Sequence, residues 1–236
     1  MARQVRSELT RRKILDAAIE VFGEVGYPAA GWGTIIDRTG MTKGALYHHF
    51  DSKEALASAI IDEGSDLVVG AFRGVCGTAS PALENLIHGT FAVAKLLRSE
   101  KMAHAAEQLT AALAGFNAAA ERFCACWVGE MATEARRAIA QGDLRNDVDP
   151  ELVSEWIVAA MIGTRLLSNA MRAQGGSEGL VGDISGRLSR IWELLLPTIA
   201  SEASLPYFRQ FLAREAIRHA PVPAGDTAVA PELPVP

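Results

Sequence analysis

Apolar residues recur at helical spacing along most of this 236-residue chain. Near the N-terminus one such stripe comprises Ile14, Leu15, Ala18, Val21 and Phe22. This pattern predicts an amphipathic first helix that ends near Gly26, a residue suited to a helix C-terminus. No segment combines strand-like alternation with β-branched residues. The predicted fold class is therefore all-α.

The remaining pattern predicts a two-domain chain of about nine or ten helices. Two short helices flank Gly40, and a longer one starts near Ser52 and runs to about residue 75. Further helices are predicted at about 81–99, 101–115, 117–141, 150–173, 180–203 and 205–218. Asp149 suits the N-cap of the 150–173 helix, and residues 173–179 are a predicted loop. We expect a small N-terminal domain over 1–52, a larger helical domain over 53–218 and a proline-rich disordered tail over 219–236.

Residues 33–53 carry the most informative motif. A short helix ends at Arg38, a tight turn follows at Gly40, and Thr42 can cap a second short helix over residues 43–49. Leu46 and Phe50 would face the neighbouring helices. This spacing is typical of a helix-turn-helix, whose second helix enters the major groove of DNA N-terminus first.

The side chains of this motif suit contacts with DNA. Hydroxyl and ammonium groups bind phosphates, and small residues let the helix backbone approach the groove. Arginines before the first helix could follow the DNA backbone or enter the minor groove. The predicted DNA-binding residues are Arg3, Arg6, Thr42, Lys43, Gly44, Ala45, Tyr47, His48 and Lys53.

The charge is unevenly distributed along an acidic chain of net charge −5. Residues 1–60 contain eight Lys/Arg against seven Asp/Glu, whereas the remainder contains 15 against 21. A polyanion would therefore meet this protein at its N-terminal end.

Other classes of protein find little support in the sequence. No apolar run is long enough for a membrane span and no secretory signal is visible, so we expect a cytoplasmic, nucleoid-associated protein with no membrane partner. The chain has three cysteines without a Cys-x-x-Cys pair and no His-x-x-x-His spacing, so no metal site is predicted. No catalytic triad or phosphate-binding glycine loop is present, and we expect neither an enzyme nor a cofactor.

Two stretches carry a family resemblance. TKGALYHHFDSKEAL (Thr42 to Leu56) and ILDAAIEVFGEVGY (Ile14 to Tyr27) resemble the signature of the tetracycline-repressor (TetR) family of bacterial transcriptional regulators. The resemblance implies a homodimer that binds a pseudo-palindromic operator as double-stranded DNA. It also implies that the C-terminal domain binds a small apolar molecule and dimerises through its last two long helices, here 150–173 and 180–203.

A narrower resemblance points to one subfamily. MARQVRSELTRRKILDAA, MTKGALYHHF, Trp127 and the segment Ile162 to Arg165 are similar to the γ-butyrolactone receptors. Those repressors leave DNA when a lactone binds, and they regulate antibiotic production. The subfamily often carries glutamine near position 64, where it meets the lactone, whereas this chain has Gly64.

The resemblance implies an effector pocket with an aromatic wall. The predicted ligand-binding residues are Trp127, Thr164, Phe91, Phe116, Phe123, Met131, Val158 and Met161. The apolar members are equally consistent with ordinary core packing, and the Thr164 hydroxyl could instead bond a carbonyl of its own helix. Arg165 is expected at the dimer interface or in a surface ion pair.

Other functions remain open. The chain could be a TetR-like regulator that senses another apolar effector, such as a drug, lipid or antibiotic, and controls efflux or a neighbouring operon. A helical ligand carrier or enzyme with an incidental helix-turn-helix, and a protein that binds DNA non-specifically, are the remaining alternatives.

Overall fold

The computed structural model describes residues 2–172 and 184–220, with side chains for 4–171 and 184–220. Within these ranges the chain is helical, and the one β-type pairing is an isolated bridge between Leu144 and Ala200. The helices are α1 Ala2–Ala29, α2 Trp32–Thr39, α3 Lys43–His49, α4 Lys53–Val75, α5 Ala82–Ser99, α6 Lys101–Leu113, α7 Ala118–Ala140, α8 Pro150–Arg172, α9 Ile184–Ile199 and α10 Leu205–Arg218. The prediction of an all-α fold is confirmed.

The helix ends follow the local signals. Gly40 adopts the left-handed conformation (φ 65°) that the turn requires, and Thr42 accepts a hydrogen bond from the Ala45 amide as the N-cap of α3. Asp149 Oδ1 accepts bonds from the first amides of α8. The structure confirms these predicted caps and the predicted bounds of α3 and α10. These features could be predicted because each depends on residues within one turn.

Two predictions about helix ends were wrong. α1 begins at Ala2, so Arg3 and Arg6 belong to a helix and not to an arm that precedes it. Gly26, at φ 76° and ψ 158°, interrupts α1 as expected, but one further turn follows it. α9 ends at Ile199, four residues before the predicted end, because Ala200 leaves the helix to pair with Leu144.

Some predictions concern residues that the structure does not describe. The predicted loop over 173–179, the start of the 180–203 helix and the tail from 221 onward lie outside the described residues. His219 and Ala220, which we assigned to the tail, are described, and His219 is the C-cap of α10.

The N-terminal domain is held by the predicted stripe. Ile14 and Leu15 of α1 are fully buried together with Ile35 of α2 and Leu46 of α3. Phe50, directly after α3, closes the same core at 6% exposure. Burial of one such side chain stabilises a fold by about 1.5–3 kcal/mol. The apolar residues of the motif therefore fix the orientation of α3.

The larger domain is built around α4, which packs against α5, α6 and α7. α6 also contacts α1, so it touches both domains. Gly64 of α4 is buried against α6, and a Cβ there would lie 2.2 Å from Ala106 Cβ. The absence of a side chain at Gly64 lets the two helices approach closely. Among the described residues no helix is both long and apolar enough to cross a membrane.

Candidate functional site

α3 presents one polar face to solvent. Thr42, Lys43, Gly44, Tyr47 and His48 are exposed, while Leu46 and Phe50 are buried behind them. A Cβ at Gly44 would meet nothing within 4 Å, so the helix has open space along this face. The structure therefore brings the residues predicted from α3 together on one surface.

The aromatic residues on this face are held in place. The Tyr47 ring lies edge-on to Trp32 of α2, with centroids 5.6 Å apart. Lys43 Nζ lies 5.7 Å from the centroid of the Tyr47 ring, close enough for a weak cation–π contact. Within the described residues Lys43 has no carboxylate at ion-pair distance. Its charge is therefore available to a phosphate.

Lys53 is engaged within the protein. Its ammonium group donates hydrogen bonds to the carbonyl oxygens of Tyr27 at 2.8 Å and Ala30 at 3.0 Å. It also lies 4.5 Å from the centroid of the Tyr27 ring. We predicted a phosphate contact from the position of Lys53 at the start of α4. The structure instead places the residue as a brace for the turn between α1 and α2.

Most arginines of the N-terminal domain are paired. Arg11 and Arg12 both contact Glu63 of α4, and Arg38 forms a bidentate pair with Glu24 at 2.7–2.8 Å. The hydrogen bonds from Arg38 hold the pKa of Glu24 below its usual value. Arg6 is exposed on α1, and the side chain of Arg3 is outside the described residues. The sequence count of cations therefore overstates the charge that is free to meet DNA.

Five of the predicted ligand residues lie in the core of the larger domain. Trp127 and Phe123 of α7 stack with ring centroids 5.8 Å apart, and both are at most 2% exposed. Met131 of α7 is fully buried, and Val158 and Met161 of α8 are nearly so. This burial is typical of core packing, and the same apolar side chains would suit the wall of an effector pocket.

Three further predicted ligand residues have different surroundings. Phe116 follows α6 with 87% of its surface exposed, so it does not line the interior of this chain. Phe91 is buried but stacks on His219 at 5.3 Å. Thr164 is half-buried, and its carbonyl accepts a bond from the Ser168 hydroxyl.

Several buried polar groups of the larger domain have no hydrogen-bond partner among the described residues. Two of them are the indole N–H of Trp127 and the hydroxyl of Thr110 on α6. An unpaired buried donor costs about 1–3 kcal/mol, so such groups are suited to hydrogen-bond a ligand. Thr110 was not predicted, because a threonine inside a helix usually bonds its own backbone.

Arg165 is neither at the surface nor free. Its side chain is 11% exposed and forms an ion pair with Glu107 of α6, while Nη2 lies 2.6 Å from His104 Nδ1. Burial raises the pKa of Glu107 to about 7 against the opposing effect of Arg165. Desolvation and Arg165 together lower the pKa of His104. The surface ion pair that we expected at Arg165 is therefore a buried contact between α6 and α8.

A cavity of about 250 Å³ lies beside this ion pair. Glu107 and Arg165 line it together with Ile162 and Asn169, and none of the predicted ligand residues is in that lining. Glu107 Oε1 and Arg165 Nη1 are buried without hydrogen-bond partners in the described part of the chain.

The last two long helices carry an apolar surface. Large apolar side chains stand 37–74% exposed along α8 and α9, and these are Leu152, Trp156, Leu166, Leu167, Met171 and Leu194. A groove of about 440 Å³ runs between the two helices past Trp156 and Leu194. Exposed apolar surface of this extent is typical of an interface.

One further grouping was missed by the sequence analysis. His88 of α5 lies 2.6 Å from Glu215 of α10, and His219 lies one helical turn beyond Glu215. The expected signal was His-x-x-x-His spacing, whereas this chain has Glu-x-x-x-His and a histidine 127 residues away.

Comparisons with known proteins agree on one family. Residues 14–60 match the family described as bacterial regulatory proteins, tetR family, and residues 80–200 match the tetracyclin repressor-like C-terminal domain. The chain is 32% identical to the A-factor receptor protein of Streptomyces griseus over 209 residues, which is 89% of this chain and 70% of that protein.

Solved structures show the same fold. A crystal structure of a gamma-butyrolactone receptor (ArpA-like protein) superposes with a TM-score of 0.73 at 27% identity, covering 90% of this chain and 99% of that one. The TetR-family protein CprB from Streptomyces coelicolor, in complex with its biological operator sequence, gives a TM-score of 0.70 at 27% identity and covers 90% and 99%.

Proposed function

Because this chain belongs to the TetR family of bacterial transcriptional regulators and is similar to γ-butyrolactone receptors, we propose that it is a homodimeric repressor released from its operator by a γ-butyrolactone-type effector. The exposed polar face of α3 is the observation that carries the DNA-binding part. The regulated process that fits such an effector is secondary metabolism, including antibiotic production.

The proposed DNA contacts come from α3. Lys43, Thr42 and Tyr47 bind phosphates, while Gly44 and Ala45 let the helix approach the bases. In a dimer the two α3 helices enter successive major grooves of a pseudo-palindromic operator, about 34 Å or slightly more apart. The apolar faces of α8 and α9 are the proposed dimer interface, and Trp156 and Leu194 line the groove between these helices.

The proposed effector site is the wall formed by Trp127 and Phe123. The flat indole suits an alkyl lactone, and its N–H, which has no partner in the described part of the chain, can donate to a lactone oxygen. Bound effector would displace α6, which contacts α4 at Gly64 and also touches α1. The effector then favours a state in which the DNA-binding domains have a different spacing. The population of that state can rise only as far as the effector's differential affinity for the two states allows.

Gly64 favours a second candidate, in which the effector is an apolar molecule other than a γ-butyrolactone. A glutamine cannot enter the space at this position, since even a Cβ would overlap Ala106. A side-chain contact from position 64 to a lactone is therefore excluded in this conformation. A regulator that senses another apolar molecule, and controls efflux or a neighbouring operon, fits the same architecture.

A gel-shift titration on the DNA upstream of the protein's own gene tests the proposal. A specific complex that a γ-butyrolactone dissolves supports both parts. A specific complex that ignores the lactone supports the alternative effector. If a folded dimer forms no specific complex with this DNA at low salt, the operator lies elsewhere. If it also binds no fragment of a genome-derived library specifically, DNA recognition is refuted.

Two variants separate the sites. Lys43→Ala is expected to lose operator affinity and keep effector binding. Trp127→Phe keeps an aromatic side chain, although a smaller one, and removes the N–H, so release should need about 3–10 times more lactone, equivalent to about 0.7–1.4 kcal/mol for one hydrogen bond. Trp192→Phe is the control, because the Trp192 N–H already donates to Thr90 at 2.9 Å. An unchanged lactone response in Trp127→Phe would show that the indole N–H does not bind the effector.

A further inference from the structure

Two histidines and a buried glutamate meet where the end of α10 packs against α5. His88 is on α5, Glu215 is on α10, and His219 follows the last turn of α10. One side-chain atom from each residue lies within 4.8 Å of the other two. None of these residues belongs to the proposed DNA-binding or effector sites.

The spacing of these atoms is close to that of a metal site. His219 Nε2 lies 3.4 Å from Glu215 Oε2, and His88 Nδ1 lies 2.6 Å from the same oxygen. Ligands of a tetrahedral ion with bonds of about 2.0–2.1 Å are about 3.3 Å apart. The first pair already has that separation, and the second would open by about 0.7 Å to admit an ion.

The surroundings hold the ligands in place. Glu215 is 1% exposed, and Arg218 donates to its other oxygen, Oε1, which leaves Oε2 directed at the histidines. The His219 ring is stacked on Phe91 with an angle of 23° between the planes. Its Nε2 is buried and has no hydrogen-bond partner among the described residues. Outer contacts of this kind orient ligands in metal sites.

We propose that His88, Glu215 and His219 bind a divalent transition-metal ion of the zinc class. Two imidazoles and one carboxylate are borderline ligands that suit zinc, whereas magnesium and calcium prefer oxygen alone. The fourth position is open to water or an anion. Arg218 and Lys95 lie near His219, and their positive charge makes the site weaker than a structural zinc site built from thiolates.

Zinc binding by the full-length, untagged chain tests this assignment. The protein is first stripped with a chelator, and Zn²⁺ is then titrated against a chromophoric chelator above about pH 7, where imidazoles are neutral. We expect one ion per chain. His88→Gln and His219→Gln should each bind about tenfold more weakly or worse. Zn²⁺ should raise the Tm of the wild-type chain by more than it raises the Tm of either of these two variants.

His49→Gln is the matched control, since His49 lies on α3 outside the cluster. Circular dichroism establishes that each variant is folded. Co²⁺ should give the visible absorption of a tetrahedral site in the wild type and in His49→Gln. Zinc bound equally by His219→Gln, or not bound by the wild type, would overturn the proposal and leave an ion-pair network. Operator binding is not a readout, so this result is independent of the proposed function.

Discussion

The close contact between α4 and α6 at Gly64 can be tested by adding one methyl group. In Gly64→Ala the new Cβ would lie 2.2 Å from Ala106 Cβ and 2.9 Å from the Met102 carbonyl oxygen. Ordinary contact begins at 3.4 Å, so the helices must separate by about 1.2 Å. Overpacking of this kind costs about 1–3 kcal/mol.

Gly70→Ala is the matched control. Gly70 is exposed on the same helix, and a Cβ there would meet nothing within 4 Å. Both variants gain about 1 kcal/mol of helix propensity, so the difference between them isolates the packing effect. We expect Gly64→Ala to be less stable than Gly70→Ala by about 1–3 kcal/mol in urea denaturation at a fixed protein concentration.

A double variant tests the contact directly. Adding Ala106→Gly to Gly64→Ala removes the atom that the new methyl group would strike. We expect a favourable coupling of about 0.5–3 kcal/mol in the double-mutant cycle. If Gly64→Ala and Gly70→Ala are equally stable, or if the cycle shows no coupling, the close contact does not exist and the proposed route from effector to DNA through α6 loses its basis.

Four further results are expected. Lys43→Ala should reduce the slope of log affinity against log salt by about 1.8, which is 0.9 for each of two lost phosphate contacts in a dimer; an unchanged slope in filter binding would refute the contact. Lys53→Met should lower the free energy of unfolding by about 1–2 kcal/mol, since it loses three charged hydrogen bonds, one of them long at 3.4 Å; unchanged stability would mean that the brace contributes nothing. Burial raises the pKa of Glu107 from 4.5 to about 7, so the native state keeps a proton that the unfolded chain releases. Stability should then fall by about 3 kcal/mol as the pH rises through that interval, and the decline should be absent from denaturation curves of Glu107→Gln. Leu194→Glu places a charge on a side chain that is 74% exposed, and it should give monomers in sedimentation; a persistent dimer would exclude this face as the interface.

The sequence predicted the features that depend on neighbours along the chain. The turn at Gly40, the cap at Thr42 and the buried Leu46 all follow from residues within two helical turns. The orientation of α3 and its exposed face could therefore be assigned from the local pattern of residues alone.

Features set by distant partners could not be assigned in this way. Lys53 was expected to contact phosphate, but its partners are carbonyls 23 and 26 residues earlier. Arg165 meets a histidine 61 residues away, and His88 meets Glu215 across 127 residues. Phe116 has an apolar side chain but lies in a turn after α6, where the described part of the chain leaves it 87% exposed. Side-chain type alone does not distinguish these environments.

The four tryptophans of the chain occupy four different environments, and each is a natural optical probe. Trp32 contacts Tyr47 beside the proposed DNA-binding face of α3, and Trp127 is buried with an N–H that has no partner within the described ranges. Trp156 is 48% exposed on α8, and Trp192 is buried and hydrogen-bonded to Thr90. Variants that keep one tryptophan at a time would give emission spectra that report separately on operator binding, effector entry, subunit association and unfolding. The kinetic order of those events could then be measured in one protein without an attached dye.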